Sequence, residues 1–547
     1  MASSNSLRGL VEEITDDFSR LGGGPSLPAV FQADEKLIIA LDFGTTFSGI
    51  AYCFVNQRDA KVAAIMDWPG ASGQSVPKIP TLIRYDPDNN KKFAWGASAN
   101  RTSDSVKNNI VGVKLLLDPS QERPCYLPTE NLLKDLSMLP KQPVEIAAKV
   151  AGIFPVTLIK EPEAAALYTI HSLGFALSAG DAFVVCDAGG GTVDLISYEV
   201  VSLTPVLQLK ELVPGTGGMA GSLGLNQRFA ESVKRLVGDD QWEVLRQSRG
   251  FFHAQKSFET EVKRSFRGHA DEEYFITFPM ATLEDNPEAG LEANCWTMTG
   301  KDLEDIYEPL IADVLKLIDE QVTSAMIKRP GRDLRGIFLV GGFGSSQYLK
   351  TRVEKRHPGI QVLQPMDAWA AIVKGAALSK LPREAAIIST CAARHYGVEA
   401  WDTYDAQLDG DVERKKWRDG STRAAIMTWY INIGDDILRD QKIKFPFYRM
   451  LDETYNSSSL LFKDILYECQ DQDPPRNRCK GKRIGPNCEL TADLRSVPSS
   501  QFVRATDSQG KPYYRVHYDL VVSLASALMN FSLEIDGKSM GSVEAKF

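Results

Sequence analysis

Two turns rich in glycine and threonine are the residues of this chain best suited to bind phosphate. Each follows an apolar run that ends in aspartate, and a second apolar run comes after it. Because glycine lets the backbone approach a phosphate closely, successive N–H groups in such a turn can form an anion-binding hollow, to which threonine hydroxyls add donors. The residues are Asp42, Gly44, Thr45 and Thr46 in the first copy, and Asp187, Gly189, Gly190, Gly191, Thr192 and Asp194 in the second. Two such turns facing each other predict a clamp around the phosphates of ATP or ADP.

The carboxylates of these turns predict a magnesium site and a catalytic role. Mg²⁺ keeps several waters when bound to protein and needs few carboxylates. Asp42 and Asp187 would therefore suffice to hold it through water from opposite sides of the clamp. Asp194 is placed to orient an attacking water as a weak base. The expected cofactors are ATP and Mg²⁺.

A third glycine-rich element spans residues 336–349, GIFLVGGFGSSQYL. It predicts a strand, a double-glycine turn and a helix with Ser345 or Ser346 as its N-cap. Gly341 and Gly342 would let a flat base or a ribose lie against the backbone. The element is neither a P-loop nor a GxGxxG fingerprint, since no GK[ST] follows and the glycine spacing differs.

The elements that must position these turns follow from hydrophobic periodicity. Between residues 36 and about 380, buried-type strands alternate with helical patterns, which predicts an α/β fold. Long helices are expected over Trp242–Phe266 and Leu303–Ile327. Beyond residue 384 strand-type alternation dominates, and Asp536-Gly537 signals a hairpin between the last two strands, so residues 384–547 are predicted to form a β-rich domain.

Residues 1–35 precede the first strand as an N-terminal extension with apolar residues at helical spacing. This segment is interpreted either as a docking helix for a partner or as a helix that lies on its own domain. The composition limits the other partners. A net charge of −9 and a pI near 5.4 argue against nucleic acid or an anionic membrane. Eight scattered cysteines without a CxxC pair favour reduced thiols over zinc, and hence a cytoplasmic or nuclear compartment.

Taken together, the motifs resemble a known superfamily. The segments DFGTT, DAGGGTVD and LVGGFGSS look like the phosphate-1, phosphate-2 and adenosine motifs of the actin, hexokinase and heat-shock 70 kDa superfamily. KEPEAAALY and DAWAAIVKGAAL resemble its two connecting helices. The EPEAAA segment and the DxGGGTxD form are similar to the heat-shock 70 kDa family, and more narrowly to its divergent fungal and animal members.

The resemblance implies a duplicated actin-like ATPase fold over residues 36–383, with lobe I at 36–180 and lobe II at 181–383. Glu161 resembles the hinge carboxylate that couples the nucleotide state to lobe motion. Lys263 and Arg264 match a pair that sandwiches the adenine, for which a flat guanidinium is suited. Unfolded-protein clients or co-chaperones are the partners that the family implies.

Two departures from the family pattern bear on catalysis. Asn100, followed by Arg101, stands where the family carries a catalytic lysine, and a neutral amide cannot stabilise charge on a transferred phosphoryl group. Set against the family pattern, on the order of fifty residues, the length of a strand plus a helix, are missing after Lys149. A real gap predicts exposed apolar edges and faces, aggregation and impaired hydrolysis in lobe I. The alternative is an error in the gene model.

The predicted function is a heat-shock 70 kDa-like, chaperone-type ATP-binding protein in which hydrolysis accompanies lobe closure. The alternative is an ATP sensor or scaffold that binds without turnover. A small-molecule kinase of the same superfamily is a third class, and it would need a substrate-positioning carboxylate in lobe I.

Overall fold

The computed structural model describes residues 36–55, 61–71, 73, 75–86, 89–99, 109–116, 148, 151–153, 155–173, 177–204, 206–381, 386–410, 412–439, 441–478, 483–524 and 528–546. Over these residues the chain is a mixed α/β protein with six β-sheets. The N-terminal extension, Asn100, Arg101 and Lys149 lie outside the described residues, and the predictions that concern them remain predictions.

The strands of the first half are β1 (Leu37–Phe43), β2 (Phe47–Phe54), β3 (Ala63–Ala64), β4 (Ile79–Pro80), β5 (Leu82–Asp86), β6 (Asn89–Trp95), β7 (Ile110–Val111), β8 (Ala182–Ala188), β9 (Val193–Ser202), β10 (Gln208–Gly218), β11 (Glu273–Thr277), β12 (Leu291–Glu292) and β13 (Cys295–Thr299). Those of the second half are β14 (Gly336–Val340), β15 (Gln361–Leu363), β16 (Ala386–Cys391), β17 (His395–Thr403), β18 (Arg414–Lys416), β19 (Thr422–Ile431), β20 (Asp436–Leu438), β21 (Ile443–Asp452), β22 (Leu461–Cys469), β23 (Ile484–Asp493), β24 (Val503–Thr506), β25 (Pro512–Leu524), β26 (Leu528–Ile535) and β27 (Lys538–Lys546).

The helices are α1 (Gly96–Ala99), α2 (Glu161–Leu173), α3 (Leu223–Leu245), α4 (Arg249–Ser257), α5 (Lys263–Ser265), α6 (Gly300–Lys328), α7 (Gly341–Gly344), α8 (Gln347–Arg356) and α9 (Ala371–Leu378). None of these helices combines the length and the apolar composition needed to cross a lipid bilayer.

The helix predicted over Trp242–Phe266 is wrong as a single element. Helix α3 ends at Leu245, and the hydroxyl of Ser248 accepts a hydrogen bond from the N–H of Phe251 to start α4. An N-cap residue of this kind needs an extended backbone, which interrupts a continuous helix. The helix predicted over Leu303–Ile327 is confirmed within α6, which a Thr299–Asp302 capping box begins.

A seven-stranded sheet in the order β15-β14-β8-β9-β10-β16-β20 forms the centre of the molecule. Strands β8 and β9 pair as an antiparallel hairpin that places Asp187 opposite Asp194. Every residue of β8 is buried, because α6 covers one face and α2 with α9 covers the other. A central strand covered on both faces explains the continuous apolar run AFVVC.

This sheet continues past the domain boundary predicted at residue 384. Strand β16 pairs in parallel with β10, and β20 then pairs with β16. The predicted boundary therefore falls inside one hydrogen-bonded sheet. Two further sheets, β18-β19-β17-β22-β23 and β21-β25-β26-β27 with β24, follow and share a separate apolar core. Positive φ angles at Asp536 and Gly537 confirm the predicted hairpin between β26 and β27.

The first hairpin, β1 with β2, lacks part of the cover that the second hairpin has. Aligning Asp42 with Asp187 makes Ile39 the counterpart of Val184. Val184 is fully buried under α6, whereas Leu37, Ile39 and Leu41 are 49%, 66% and 55% exposed. These three residues alternate along β1 and so lie on one face. Among the described strands, β2 is the only neighbour of β1, while β8 has neighbours on both sides.

Opposite consequences are expected for threonine substitutions at these two matched positions. Ile39→Thr should change the free energy of unfolding by no more than about 0.5 kcal/mol and should lower the binding of an apolar dye. Val184→Thr should cost on the order of 2 kcal/mol because it buries a hydroxyl. Urea denaturation and dye fluorescence measure both effects. An equal cost at the two positions would show that the β1 face is covered.

A buried carboxyl group in β10 makes stability depend on pH. Burial raises the pKa of Glu211 from 4.5 to about 7, although Lys160 lies 3.9 Å away. Because the pKa in the folded state is the higher one, the stability that this group contributes is complete below pH 4.5 and is lost as the pH rises to about 7. Glu211→Gln should remove on the order of 3 kcal/mol of that decline. Urea denaturation across this range tests it, with exposed Glu292→Gln as the control that leaves the decline intact.

Candidate functional site

The turns of the two hairpins lie against each other in the structure. Thr46 of the first turn contacts Gly190 of the second so closely that a Cβ atom at Gly190 would overlap the Thr46 hydroxyl. A Cβ atom at Gly191 would lie 2.8 Å from Cγ2 of Thr45. Only glycine fits at these two positions. A phosphate group placed between the turns would require them to move apart from this contact.

The start of helix α3 braces the second turn. The backbone N–H of Ser222 donates to Gly189 O at 3.1 Å, and that of Leu223 donates to Gly190 O at 2.8 Å. Gly221 allows this approach, because a Cβ atom there would overlap the carbonyl of Gly190. The turn carbonyls thus point towards the helix, whose N-terminal end carries partial positive charge.

Four carboxylates converge where the turns meet: Asp42, Asp187, Asp194 and Glu161. Burial raises the pKa of Asp187 well above its usual range, and the charges of Glu161 and Asp194 raise it further. Burial and then the charge of Glu161 also raise the pKa of Asp194, although the Thr192 hydroxyl donates to its Oδ2 at 2.9 Å. Oppositely charged groups must offset this repulsion if the site is to stay folded.

Two lysines that were absent from the sequence-based site supply this charge. The Lys78 ammonium lies 2.5 Å from Asp42 Oδ2. The Lys114 ammonium pairs with Glu161. Burial lowers the pKa of Lys114, but Glu161, Asp42 and Asp194 raise it more, so the net shift is upward. Lys114 thus brings to the cluster the positive charge whose loss was inferred from Asn100.

The two residues expected to contact the base point in different directions. Lys263 turns inward and donates to Ser222 O and Asn226 Oδ1, both at 3.0 Å, and burial lowers its pKa to about 8. Arg264 instead faces the indole of Trp369, with 5.2 Å between Cζ and the ring centroid.

The Trp369 indole also packs against the first hairpin and the adenosine-like motif. The Phe47 ring packs edge-on against Trp369 at 5.2 Å, and a Cβ atom at Gly342 would be 3.7 Å from it. Gly341, with φ of +85°, packs directly against Oδ1 of Asp187. The adenosine-like motif therefore touches the carboxylate cluster through one glycine and Trp369 through the next. A tryptophan within a run of alanines predicts a packing role. Its contact with Arg264 cannot be predicted from the sequence of that segment alone.

The donors fit the predicted magnesium site only in part. Oδ1 of Asp187 is buried and has no hydrogen-bond donor within the described part of the chain, so it could accept a metal-bound water. Asp42 differs, because the Lys78 ammonium already holds its carboxylate. No group of three or more Asp, Glu, His or Cys side chains in the described ranges has the geometry of a metal site. The magnesium site at Asp42 and Asp187 stays a prediction.

Helix α2 links the cluster to the strands beyond residue 384. Its first residue, Glu161, faces the cluster, and Glu163 accepts two hydrogen bonds from the Arg439 guanidinium at 2.8 and 2.6 Å. Arg439 follows β20 and precedes β21 of the last sheet. A bidentate pair with a buried carboxylate fixes both distance and orientation. Movement of α2 would therefore reach the C-terminal sheets through this pair.

Comparison with known proteins finds one family model and several heat shock 70 kDa proteins similar to this chain. A family model described as Domain of unknown function (DUF8340) matches residues 178–364. Heat shock 70 kDa protein 12B of Homo sapiens is 27% identical over 487 residues, covering 65% of this chain and 70% of that protein. Heat shock 70 kDa protein 12A of Homo sapiens and of Mus musculus are each 28% identical over 220 residues, covering 37% of this chain and 32% of the relative.

These matches confirm the resemblance to divergent members of the heat-shock 70 kDa family, within the actin-like ATPase superfamily. The aligned region with the 12B protein is 487 residues long, which is more than 65% of the 547 residues of this chain. That relative therefore carries residues for which this chain has no counterpart. The chain spans about a third of the length of the 12A relatives.

Removing the charge of Arg439 should be costly, because it breaks a bidentate pair with the buried carboxylate of Glu163. Arg439→Gln is expected to lower the free energy of unfolding by about 3 kcal/mol. The double variant Glu163→Gln/Arg439→Gln should recover much of this loss. Arg504→Gln, at the exposed pair with Glu453, is the control and should cost less than about 1 kcal/mol. Urea denaturation gives all three values, and equal costs at the two arginines would contradict the link.

Proposed function

We propose that this chain binds ATP or ADP with the phosphates between the β1–β2 and β8–β9 turns. The observation that carries the proposal is the meeting of two glycine-rich turns above a buried cluster of carboxylates and lysines. Backbone N–H groups of the turns would receive phosphate oxygens, and the ammonium groups of Lys78 and Lys114 would offset their charge. The base would lie near Arg264, Trp369 and Gly342.

Titration calorimetry with ATP tests this proposal. Wild-type protein should show saturable binding with one site per chain. Gly190→Ala should weaken the binding by at least about tenfold, since its methyl group enters the space between the turns. Gly359→Ala is the matched control, because a Cβ atom there meets nothing within 4 Å, and it should bind like wild type. Absence of any heat with wild-type protein would refute the proposal.

A second candidate function is hydrolysis of the bound ATP. The position of Lys114 favours hydrolysis. Its ammonium pairs with Glu161, and its charge acts to lower the pKa of Asp194. A fixed ammonium would stabilise charge that develops on the transferred phosphoryl group, and Asp194 would orient water. Without hydrolysis, the same clamp would serve as a nucleotide sensor or scaffold.

Single-turnover phosphate release separates the two functions. If the chain is an ATPase, wild-type protein should release phosphate, and Lys114→Met should slow that step by at least about 100-fold. Lys234→Met changes an exposed lysine that pairs with Asp239, and it should leave the rate unchanged. Saturable ATP binding with no phosphate release from wild type would show that the clamp acts as a sensor or scaffold and not as an ATPase.

The family also suggests a chaperone-type role. The relatives are named heat shock 70 kDa proteins. In this chain, separation of the two turns would shift α2, and the Glu163–Arg439 pair would carry that shift to the C-terminal sheets. We infer that these sheets contact the partner, with unfolded-protein clients or co-chaperones as the expected classes.

A further inference from the structure

Lys78 is the most buried cation of the phosphate site. It lies just before β4 and is 6% exposed, and its ammonium is 2.5 Å from Oδ2 of Asp42, itself almost fully buried. A charged lysine is rarely buried to this degree unless a counter-charge holds it. The pair lies at the end of β1, directly beneath the first turn.

The surrounding structure fixes this lysine in place. Strand β4 pairs with β2, the N–H of Thr81 donates to Thr46 O at 2.7 Å, and the hydroxyls of Ser48 and Thr81 are 2.7 Å apart. The aliphatic part of Lys78 crosses β2 at Gly49, where a Cβ atom would approach its Cγ to 2.9 Å. The ammonium is thus anchored to the same turn that would receive a phosphate.

Its charge also extends to the opposite hairpin. The Lys78 charge also favours the ionised form of the Asp187 carboxylate. One fixed ammonium therefore offsets negative charge near the ends of both β1 and β8. A hydrated Mg²⁺ held by the two carboxylates would supply positive charge to the same two aspartates.

We propose that the Lys78 ammonium is the resident cation of the phosphate site, and that the chain consequently binds ATP and ADP as free nucleotides, without Mg²⁺. This inference rests on the nucleotide binding proposed above. An ammonium has three N–H donors, so a bond to Asp42 leaves donors for phosphate oxygens. A magnesium shell that used Asp42 would have to displace the buried ammonium, which would then lack a counter-charge.

The test is ADP titration calorimetry on the full chain, once with excess MgCl₂ and once with EDTA in its place. Wild-type protein should bind ADP with dissociation constants that differ by less than about threefold between the two conditions. Lys78→Met frees Asp42 to hold a metal-bound water. This variant should lose at least about tenfold in affinity in EDTA and should regain it when MgCl₂ is added.

A second variant keeps the test decisive if Lys78→Met fails to fold because Asp42 is left buried and charged. Asp42→Asn/Lys78→Met removes both charges and should bind ADP at least about tenfold more weakly than wild type in both conditions, with no response to MgCl₂. Circular dichroism establishes that each variant is folded.

Three results would overturn the proposal. A loss of tenfold or more in wild-type affinity in EDTA would show that the site still depends on magnesium. Unchanged affinity of a folded Lys78 variant in EDTA would show that another group supplies the cation. Absence of ADP binding to wild type in both conditions would overturn the proposed function and this inference with it, and that result differs from the other two.

Discussion

The convergence of carboxylates at the contact between two hairpins is the constraint on which the site depends. Asp42 lies near the end of β1 and Asp187 near the end of β8, and Asp194 and Glu161 lie close enough to raise the pKa of Asp187. Lys78 and Lys114 enter this cluster from segments outside both hairpins and supply positive charge to it. The glycines have the complementary role, since they let the two turns, and Gly341 of the third motif, come within contact distance of this charge.

The two hairpins have the same sequence pattern but different surroundings, and the difference shows what the rest of the fold contributes. Strand β8 has strand neighbours on both sides and helices on both faces, so all of its residues are buried. In β1 the face that contacts α9 is buried through Ala40, while the face that matches the α6 side of β8 is exposed. The exposed face agrees with the apolar surface expected from a missing strand and helix.

Local patterns were sufficient for the elements that depend on neighbours in sequence. The two hairpin turns, the Ser346 cap, helix α6 and the Asp536-Gly537 hairpin all follow from spacing and turn chemistry. Lys78, Lys114 and Trp369 could not be predicted, because each reaches the site by packing over dozens of residues. The segments around Lys78 and Lys114 contain no glycine-rich or acidic signal. The boundary at residue 384 was placed by a change in periodicity, yet parallel pairing of β16 with β10 is a long-range contact that periodicity does not encode.

The central claim is that one nucleotide contacts both hairpin turns at the same time. Hydrogen–deuterium exchange with and without ATP, read on peptides that contain Gly44–Thr46 and Gly189–Thr192, tests it most directly. We expect ATP to slow amide exchange in both peptides together, because each turn would donate N–H groups to the phosphates. Protection of neither turn, or of one turn alone, at saturating ATP would contradict it.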